Sequence, residues 1–370
     1  MNIPLPIGSS PYESPSDRIR DFTQSPIQIE IDSAIKQFMQ QHGFSGSVMV
    51  VQNGQPTFAQ AYGEATAGQA NEQNTTFRWD SVSKLITTTG ILQLYEKNKL
   101  NLDDPITKYL PEYKNSPGLG GKPPVTIRSL LTMTSGIADL PPLPGPAEWQ
   151  NRAPTLKEIM DYVAEQPRKG QGTWSYSNTS FNLLGVIIGK ISQPNTTDPA
   201  SSYSEYIQKN IFDPAGMTSA SAPSTLEQDS PSARCHSYDE SGNLVEMGSN
   251  QYPDYITMRF GAGNLNGSMW DFEKFDAALN TGKLITMKDL DLMQSQRFGG
   301  WDPGNHSING HSFMSKGGAQ DGEQSFYMRF PNNTMVYIMA NVGPKNQNNP
   351  QDHIQFLGAE IAQLLMREEL

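Results

Sequence analysis

An α+β fold, an antiparallel sheet flanked by helices with a mostly helical lobe inserted into it, is predicted by three observations. The start of the chain reads as a helix followed by a β-hairpin, and its end as three strands followed by a helix. The long middle is almost free of strand signals. Strands at both ends with helices between them suggest that the termini meet in one sheet. The expected division is an N-terminal arm or linker over 1–26 and a single domain over 27–370. Within that domain an α/β lobe takes 27–80 and 256–370, and a helical lobe takes 81–255.

From Ile27 to Gln41 the residues Ile31, Ala34, Ile35, Phe38 and Met39 recur at helical spacing, so an amphipathic helix ends near Gly43. Gly46 to Gln52 and Pro56 to Gly63 are strand-length runs separated by Asn53-Gly54, a tight-turn pair. Ser81 to Asn98 reads as a helix with an apolar stripe through Leu85, Ile91, Leu92, Leu94 and Tyr95, and with Asp80 available as its N-cap. Further helices are expected at Ile127–Leu131, Leu156–Glu165, Asn182–Ile191 and Ser202–Ile211. The Pro-rich run 138–149 suits neither helix nor strand. Strand character returns in His311–Ser315, Gln324–Phe330 and Met335–Asn341, and a helix over about Asp352–Met366 closes the chain.

Composition removes several classes of function. The 370 residues carry 27 basic and 38 acidic side chains, a formal charge of −11, with no Lys/Arg block, so no electrostatic footprint for nucleic acid is present. Mean hydropathy is −0.54 and no run of 18 apolar residues occurs, so no transmembrane segment is expected. Cys235, the single cysteine, excludes an intrachain disulfide framework and a Cys-x-x-Cys centre, and is expected to be a buried thiol. The five histidines, His42, His236, His306, His311 and His353, show no metal-like spacing. No basic start and apolar core mark an export signal at the N-terminus, so the compartment stays open. The chain is cytoplasmic, or periplasmic or secreted if such a signal has been removed.

Gly-x-Ser-x-Gly, His-Glu-x-x-His and the phosphate-loop pattern are absent. What stands out is Ser81-Val82-Ser83-Lys84 at a helix start. Residues three apart share a helix face, so Lys84 can reach the Ser81 hydroxyl, and a helix N-terminus favours a developing alkoxide. A lysine serves as base only if its pKa falls far below about 10.4, which burial achieves. The spacing alone is cheap, because Ser33-Ala34-Ile35-Lys36 matches it too. That second match lies midway along the first helix and reads as coincidence. Tyr176-Ser177-Asn178 places a phenol and a carboxamide two residues apart on a turn. Lys316-Gly317-Gly318 offers a cation after a short strand, beside backbone that a ligand can approach closely. Tyr113-Lys114-Asn115 repeats the Tyr-x-Asn pattern. Ser83 and Ser135 read as packing residues, the Met133 region as a helix end, and Trp149 and Trp174 as residues that line a cleft or merely pack.

Taken in order, SVSK, YSN and KGG resemble the three motifs of the serine β-lactamase and penicillin-binding-protein superfamily. The branch is that of class C β-lactamases, D-alanyl-D-alanine carboxypeptidases and family VIII esterases. The stretches FRWDSVSKLITTTGILQLYEKNKLNLDDPITKYLPEY, VTIRSLLTMTSGI, YIQKNIFDPAGM and FGAGNLNGSMWDFEKF are similar to family landmarks, and the resemblance covers roughly residues 28 to 366. It implies a β-lactamase/DD-peptidase-like fold and hydrolysis of amide or ester bonds through an acyl-enzyme. Ser81 would be the nucleophile, activated by Lys84 and by Tyr176, whose phenol would pass a proton to the leaving group. Asn178 would bind the substrate's amide or ester side, and Lys316 would act on the phenol and attract a substrate carboxylate. Gly318 would let the substrate approach, and the N–H groups of Ser81 and Ala319 would form the oxyanion hole. No metal or organic cofactor is implied.

Two departures from the family pattern are visible. Met133 stands where Leu-Leu-x-His-Thr-Ser-Gly usually has its histidine, and Gly317 stands where β-lactamases carry Thr or Ser, whose hydroxyl helps hold a substrate carboxylate. The expected activity is therefore D-alanyl-D-alanine carboxypeptidase-like or esterase. A class C-like β-lactamase is one alternative, and a non-turnover β-lactam- or peptidoglycan-binding or scaffold protein is another. The expected ligand is a small molecule or short peptide. The oligomeric state is open.

Overall fold

The computed structural model describes residues 25–140, 149, 152, 154–224, 231–239, 241, 243–247, 259–301, 306–320 and 322–367. The expected arm over 1–26 lies almost wholly outside these residues, and so does most of the Pro-rich run.

Six strands form one antiparallel sheet in the order Gln55–Tyr62, Gly46–Gln52, Met335–Ala340, Glu323–Arg329, His311–Gln320 and His306–Ile308. The N-terminal hairpin thus pairs directly with a strand from the far end of the chain, Val50 opposite Val336. Asn53 and Gly54 both take positive φ, 52° and 75°, as the hairpin turn requires. The central strands are buried on both faces, which is why they read as unbroken apolar runs rather than as alternating ones.

One face packs against the first helix, Pro26–His42, and the last, Ile354–Leu365. There Ile31, Ile35, Phe38, Val48, Val336, Ile338, Leu357 and Ile361 form one core. The other face, through Met49, Tyr327, Tyr337 and Met339, meets Trp79, Phe272 and the helical part of the chain in a second, larger core. Helices at Ile127–Leu131 and Leu156–Glu165 have the expected bounds.

Other elements depart from expectation. The helix expected over 81–98 is a 3-10 turn, Asp80–Val82, running into an α-helix, Ser83–Glu96, that is buried from Ser83 through Leu94 on every side. An apolar stripe was the wrong picture because this helix has no solvent face. Its threonines are satisfied locally: Thr88 and Thr89 donate to the carbonyls of Lys84 and Leu85, at 2.8 and 2.9 Å. Asp80 caps nothing; it has a φ of 44° and a buried side chain. The helix expected from Asn182 begins at Asn178, and the one expected over 202–211 is Pro199–Ile207, continued by a wider turn over Gln208–Phe212. Lys316-Gly317-Gly318 lies inside a strand rather than after it. Sequence reasoning missed the helices Met269–Asn280 and Met287–Ser295 and three short strand pairs, among them Phe77–Arg78 with Asn266–Gly267.

Gly189 lets helix Asn178–Ser192 cross the start of helix Pro199–Ile207, since a Cβ there would lie 2.2 Å from the Pro199 carbonyl oxygen. Backbone cannot yield as a flexible side chain can. Gly189→Ala is expected to cost about 1–3 kcal/mol, the range for overpacking, and to lower the calorimetric Tm by a few degrees. An unchanged Tm would show that the crossing is looser than this.

Candidate active site

Ser81 sits in the 3-10 turn at the head of the central helix, half-buried, and its Oγ is the hub of a hydrogen-bonded triangle. Lys84 Nζ, one turn on, donates to it at 3.0 Å, and Tyr176 Oη lies 2.5 Å from it. The Lys84 amine is wholly buried, and all three of its protons have acceptors. The other two are Asn178 Oδ1 and the Ala262 carbonyl, each at 2.8 Å. Burial in this position pushes the amine's pKa down to about 7. The negative charge of Asp139 is the first influence pulling the other way and does not offset it.

Tyr176 and Asn178 reach this point from the loop leading into helix Asn178–Ser192, whose N-cap is Ser177. That loop is laid against the segment after helix Ile127–Leu131. Lys169 N–H donates to Gly136 O, Gly172 N–H to Thr134 O, and Ser175 N–H to Met133 O, at 2.8 to 2.9 Å. Met133 and Gly136 hold positive φ, 55° and 71°, to present those carbonyls. The departure at Met133 thus falls on a buried scaffold residue, in line with its reading as a helix end. Asp139 fixes the other side, accepting from Asn178 N–H, Thr179 N–H and Thr179 Oγ1 at 3.3, 2.9 and 2.7 Å, a carboxylate at a helix N-terminus. Sequence reasoning missed Asp139, because nothing local connects it to a helix that starts 39 residues later.

Lys316 is buried, and its Nζ donates to the Gly300 carbonyl at 2.7 Å. The amines of Lys84 and Lys316 each lie 5.0 Å from the centre of the Tyr176 ring, so two lysines approach this phenol. Gly318 brings the strand against the nucleophile. A Cβ on it would fall 2.8 Å from the Ser81 nitrogen and 2.9 Å from Asp80 Cβ. Gly317 faces the opposite way, and a Cβ there would lie 3.0 Å from Gln355 Nε2, the end of a flexible side chain. Ala319, next along the strand, is exposed.

The structure therefore gathers Ser81, Lys84, Tyr176, Asn178, Lys316 and Gly318 at one place, with Ala319 adjoining. It leaves out the residues read as incidental. Ser33 donates to the Ile29 carbonyl while Lys36 pairs with Asp32, and Tyr113 donates to Asp161. Ser83 is buried and accepts from Leu265 N–H. Trp149 packs on Tyr162, whereas Trp174 is 46% exposed and Tyr176 38%. Cys235 is buried and free.

A hydroxyl that can hand its proton to a neutral amine, with a phenol in hydrogen-bond reach and backbone that a ligand can approach beside it, is chemically equipped for acyl transfer. The chain belongs to the Beta-lactamase family, whose model matches residues 31–357. It is 31% identical over 290 residues to the putative penicillin-binding protein PbpX of Bacillus subtilis, covering 77% of this chain and 66% of that one. Across the first relatives the matched part spans from about two thirds down to 39% of their length. The octameric penicillin-binding protein homologue from Pyrococcus abyssi shares the fold with a TM-score of 0.73 at 22% identity, over 91% of this chain and 77% of that one. D-amino acid amidase from Ochrobactrum anthropi SV3 does so with a TM-score of 0.73 at 20% identity, over 92% and 99%. No helix among the described residues is long and apolar enough to cross a membrane.

Only the neutral Lys84 amine can accept a proton, and its neutral fraction grows as pH rises through about 7. Ester kcat/KM is therefore expected to climb between about pH 6 and 8 and then level, with an apparent pKa near 7 set by Lys84. A profile with no acid limb above pH 5 would contradict Lys84 as the base.

Proposed function

We propose that this protein is a serine hydrolase that cleaves amide or ester bonds through an acyl-enzyme, of the D-alanyl-D-alanine carboxypeptidase-like or esterase kind. The observation that carries the reading is the meeting of Lys84 and Tyr176 on the Ser81 hydroxyl, with burial pulling the lysine pKa down to about 7.

Ser81 Oγ attacks the carbonyl carbon as its proton passes to the neutral Lys84 amine, directly or through Tyr176 Oη. The negative charge gathers on the carbonyl oxygen, held by the backbone N–H groups of Ser81 and Ala319. Collapse breaks the bond to the leaving group, which takes a proton from the Tyr176 phenol while the protonated Lys84 returns a proton to that phenol oxygen, so Ser81 is left acylated beside a neutral amine. Water then attacks the ester as the neutral Lys84 amine takes its proton, and that proton goes to Ser81 Oγ as the acid departs, restoring the free serine. Asn178 turns its amide oxygen to Lys84 and so keeps the amine aimed at Ser81; its amide nitrogen is the donor left for the acyl group. Gly317 offers no hydroxyl for a substrate carboxylate, which favours this reading over an efficient β-lactamase.

The test is intact-mass spectrometry of wild type and Ser81→Ala after exposure to a fluorophosphonate, a labelled penicillin and p-nitrophenyl acetate, with product release followed in parallel and a D-Ala-D-Ala peptide as a further substrate. Wild type is expected to be labelled and to turn over ester, and Ser81→Ala to lose at least about 10³-fold in kcat. A wild type that takes no label from any reagent would overturn the assignment and favour a binding or scaffold role.

Gly317→Thr should fold, because the only close neighbour of the new Cβ is the movable Gln355 amide. It is expected to raise the second-order rate of penicillin acylation by about tenfold or more, the value of one hydrogen bond to a charged group, while leaving p-nitrophenyl acetate within about twofold. An unchanged penicillin rate would show that the missing hydroxyl does not limit β-lactam recognition.

A further inference from the structure

Directly behind Ser81 lies a buried group of charges that the mechanism does not use. Asp80, 3% exposed, faces Glu323, 5% exposed, across a space bounded by Arg259, Arg78 and Cys235. The two guanidinium groups are not shared evenly. Arg259 Nη1 lies 3.3 Å from Glu323 Oε1 but 3.9 Å from Asp80 Oδ1, and Arg78 Nη1 lies 3.4 Å from Glu323 Oε2. Cys235 Sγ also donates to Glu323 Oε2, at 3.0 Å. Asp80 Oδ2, by contrast, is buried with no hydrogen-bond partner among the described residues. Both guanidinium groups and the thiol reach Glu323 at 3.0 to 3.4 Å, and Asp80 is left with one buried oxygen that none of them meets. Burial first, and the Glu323 charge second, push the Asp80 carboxyl well above the usual carboxylate range against the pull of both arginines.

The location gives this pair a use. Asp80 precedes the nucleophile in a left-handed backbone conformation, φ 44°, that few side chains other than Asp and Asn adopt readily. Glu323 opens the strand that returns from Ala319, and Gln320 pairs with it across the turn. Ser325 Oγ on that strand donates to the Trp79 carbonyl at 2.7 Å, and Gly318 abuts Asp80 Cβ and the Ser81 nitrogen. The Asp80–Glu323 contact therefore bridges the two backbone segments that carry the N–H groups of Ser81 and Ala319. We propose that Asp80 is a positioning residue: joined to Glu323 as a buried carboxyl–carboxylate pair clamped by Arg78 and Arg259, it sets the separation of the two oxyanion-hole donors. This rests on the acyl-enzyme reading above, since those donors matter only if an oxyanion forms.

The experiment compares Asp80→Ala, Asp80→Asn and Glu323→Gln with wild type. Ester kcat and KM are normalised to the fraction of sites that a fluorophosphonate labels, and thermal melts are run beside them. Asp80→Ala is expected to lower kcat per labelled site by about 30- to 100-fold with KM within about twofold, as donor misplacement does. Asp80→Asn, whose carboxamide can donate to Glu323 as a protonated carboxyl does, is expected to restore most of that loss. Glu323→Ala, run beside these, should act like Asp80→Ala and decides the matter if Asp80→Ala does not fold, whereas Glu323→Gln, whose carboxamide keeps a donor for the Asp80 carboxylate, should stay close to Asp80→Asn. In infrared spectra at neutral pH, wild type should show a protonated-carboxyl carbonyl band that Asp80→Asn lacks.

A purely structural role would lower Tm and the labelled fraction but leave kcat per labelled site unchanged, and that result overturns the proposal. So does Asp80→Asn as impaired as Asp80→Ala, or a neutral-pH spectrum with no band lost. Failure of the acyl-enzyme reading looks different, because wild type itself would then neither label nor turn over ester, and the infrared comparison would still decide whether the pair shares a proton.

Discussion

A primary amine with no access to water is the constraint around which this molecule is organised. Burying a lysine costs far more than its alkyl stem returns unless the amine loses its proton more easily or finds acceptors for its hydrogens; burial pulls the Lys84 pKa down to about 7, and three acceptors surround its amine. Its three acceptors come from three separate parts of the chain: Ser81 on its own helix, Asn178 at the head of another, and the Ala262 carbonyl beyond both. Each must be placed to a few tenths of an ångström for the others to be worth having. The Met133–Gly136 carbonyls, the Asp139 cap and the glycines at helix crossings all serve that placement. None of them touches the nucleophile.

The site was more legible in the sequence than the fold around it. Ser81 and Lys84 stand out because their spacing carries a physical reason, a shared helix face, and Tyr176, Asn178 and Lys316 because they fall in the right order behind it. The second Ser-x-x-Lys and the second Tyr-x-Asn were separable from these only by context, and the structure puts Ser33 on a surface helix and Tyr113 on Asp161. The helix starts at Ile127 and Leu156 are marked locally by Thr126 and Thr155, which form capping boxes. The central helix was misjudged for a plain reason. Periodicity reports how far one side is wet, and a helix buried all round has no such side. Asp80 misled in a related way, since an aspartate before a helix is usually a cap, and only the neighbouring Glu323 and Arg259 show why this one turns inward. Asp139, Glu323 and Arg259 were invisible because their partners are distant in sequence.

The lost histidine and the lost hydroxyl have different weights. At Met133 the substitution falls on a position whose backbone is in use and whose side chain fills space beside Gly300, so chemistry need not change. At Gly317 the substitution removes a polar group from the strand that flanks the nucleophile. The buried part of the site holds Lys84 and Lys316, and Ala319, on the same strand as Lys316, is exposed.

The pairing of Val50 with Val336 has a consequence for the birth of the protein. A chain made from its N-terminus presents the first hairpin long before the strand that completes it exists. Until Met335–Ala340 emerges, the inner edge of Gly46–Gln52 has backbone groups to satisfy and apolar side chains on both faces with nothing to cover them. Folding therefore depends on contacts of very long range, a topology that is slow and exposed to misassociation on the way. Ser81 and Lys84 are synthesised early, but the strand that brings Lys316 to the same place comes late, so the nascent chain carries the first two long before their surroundings are complete.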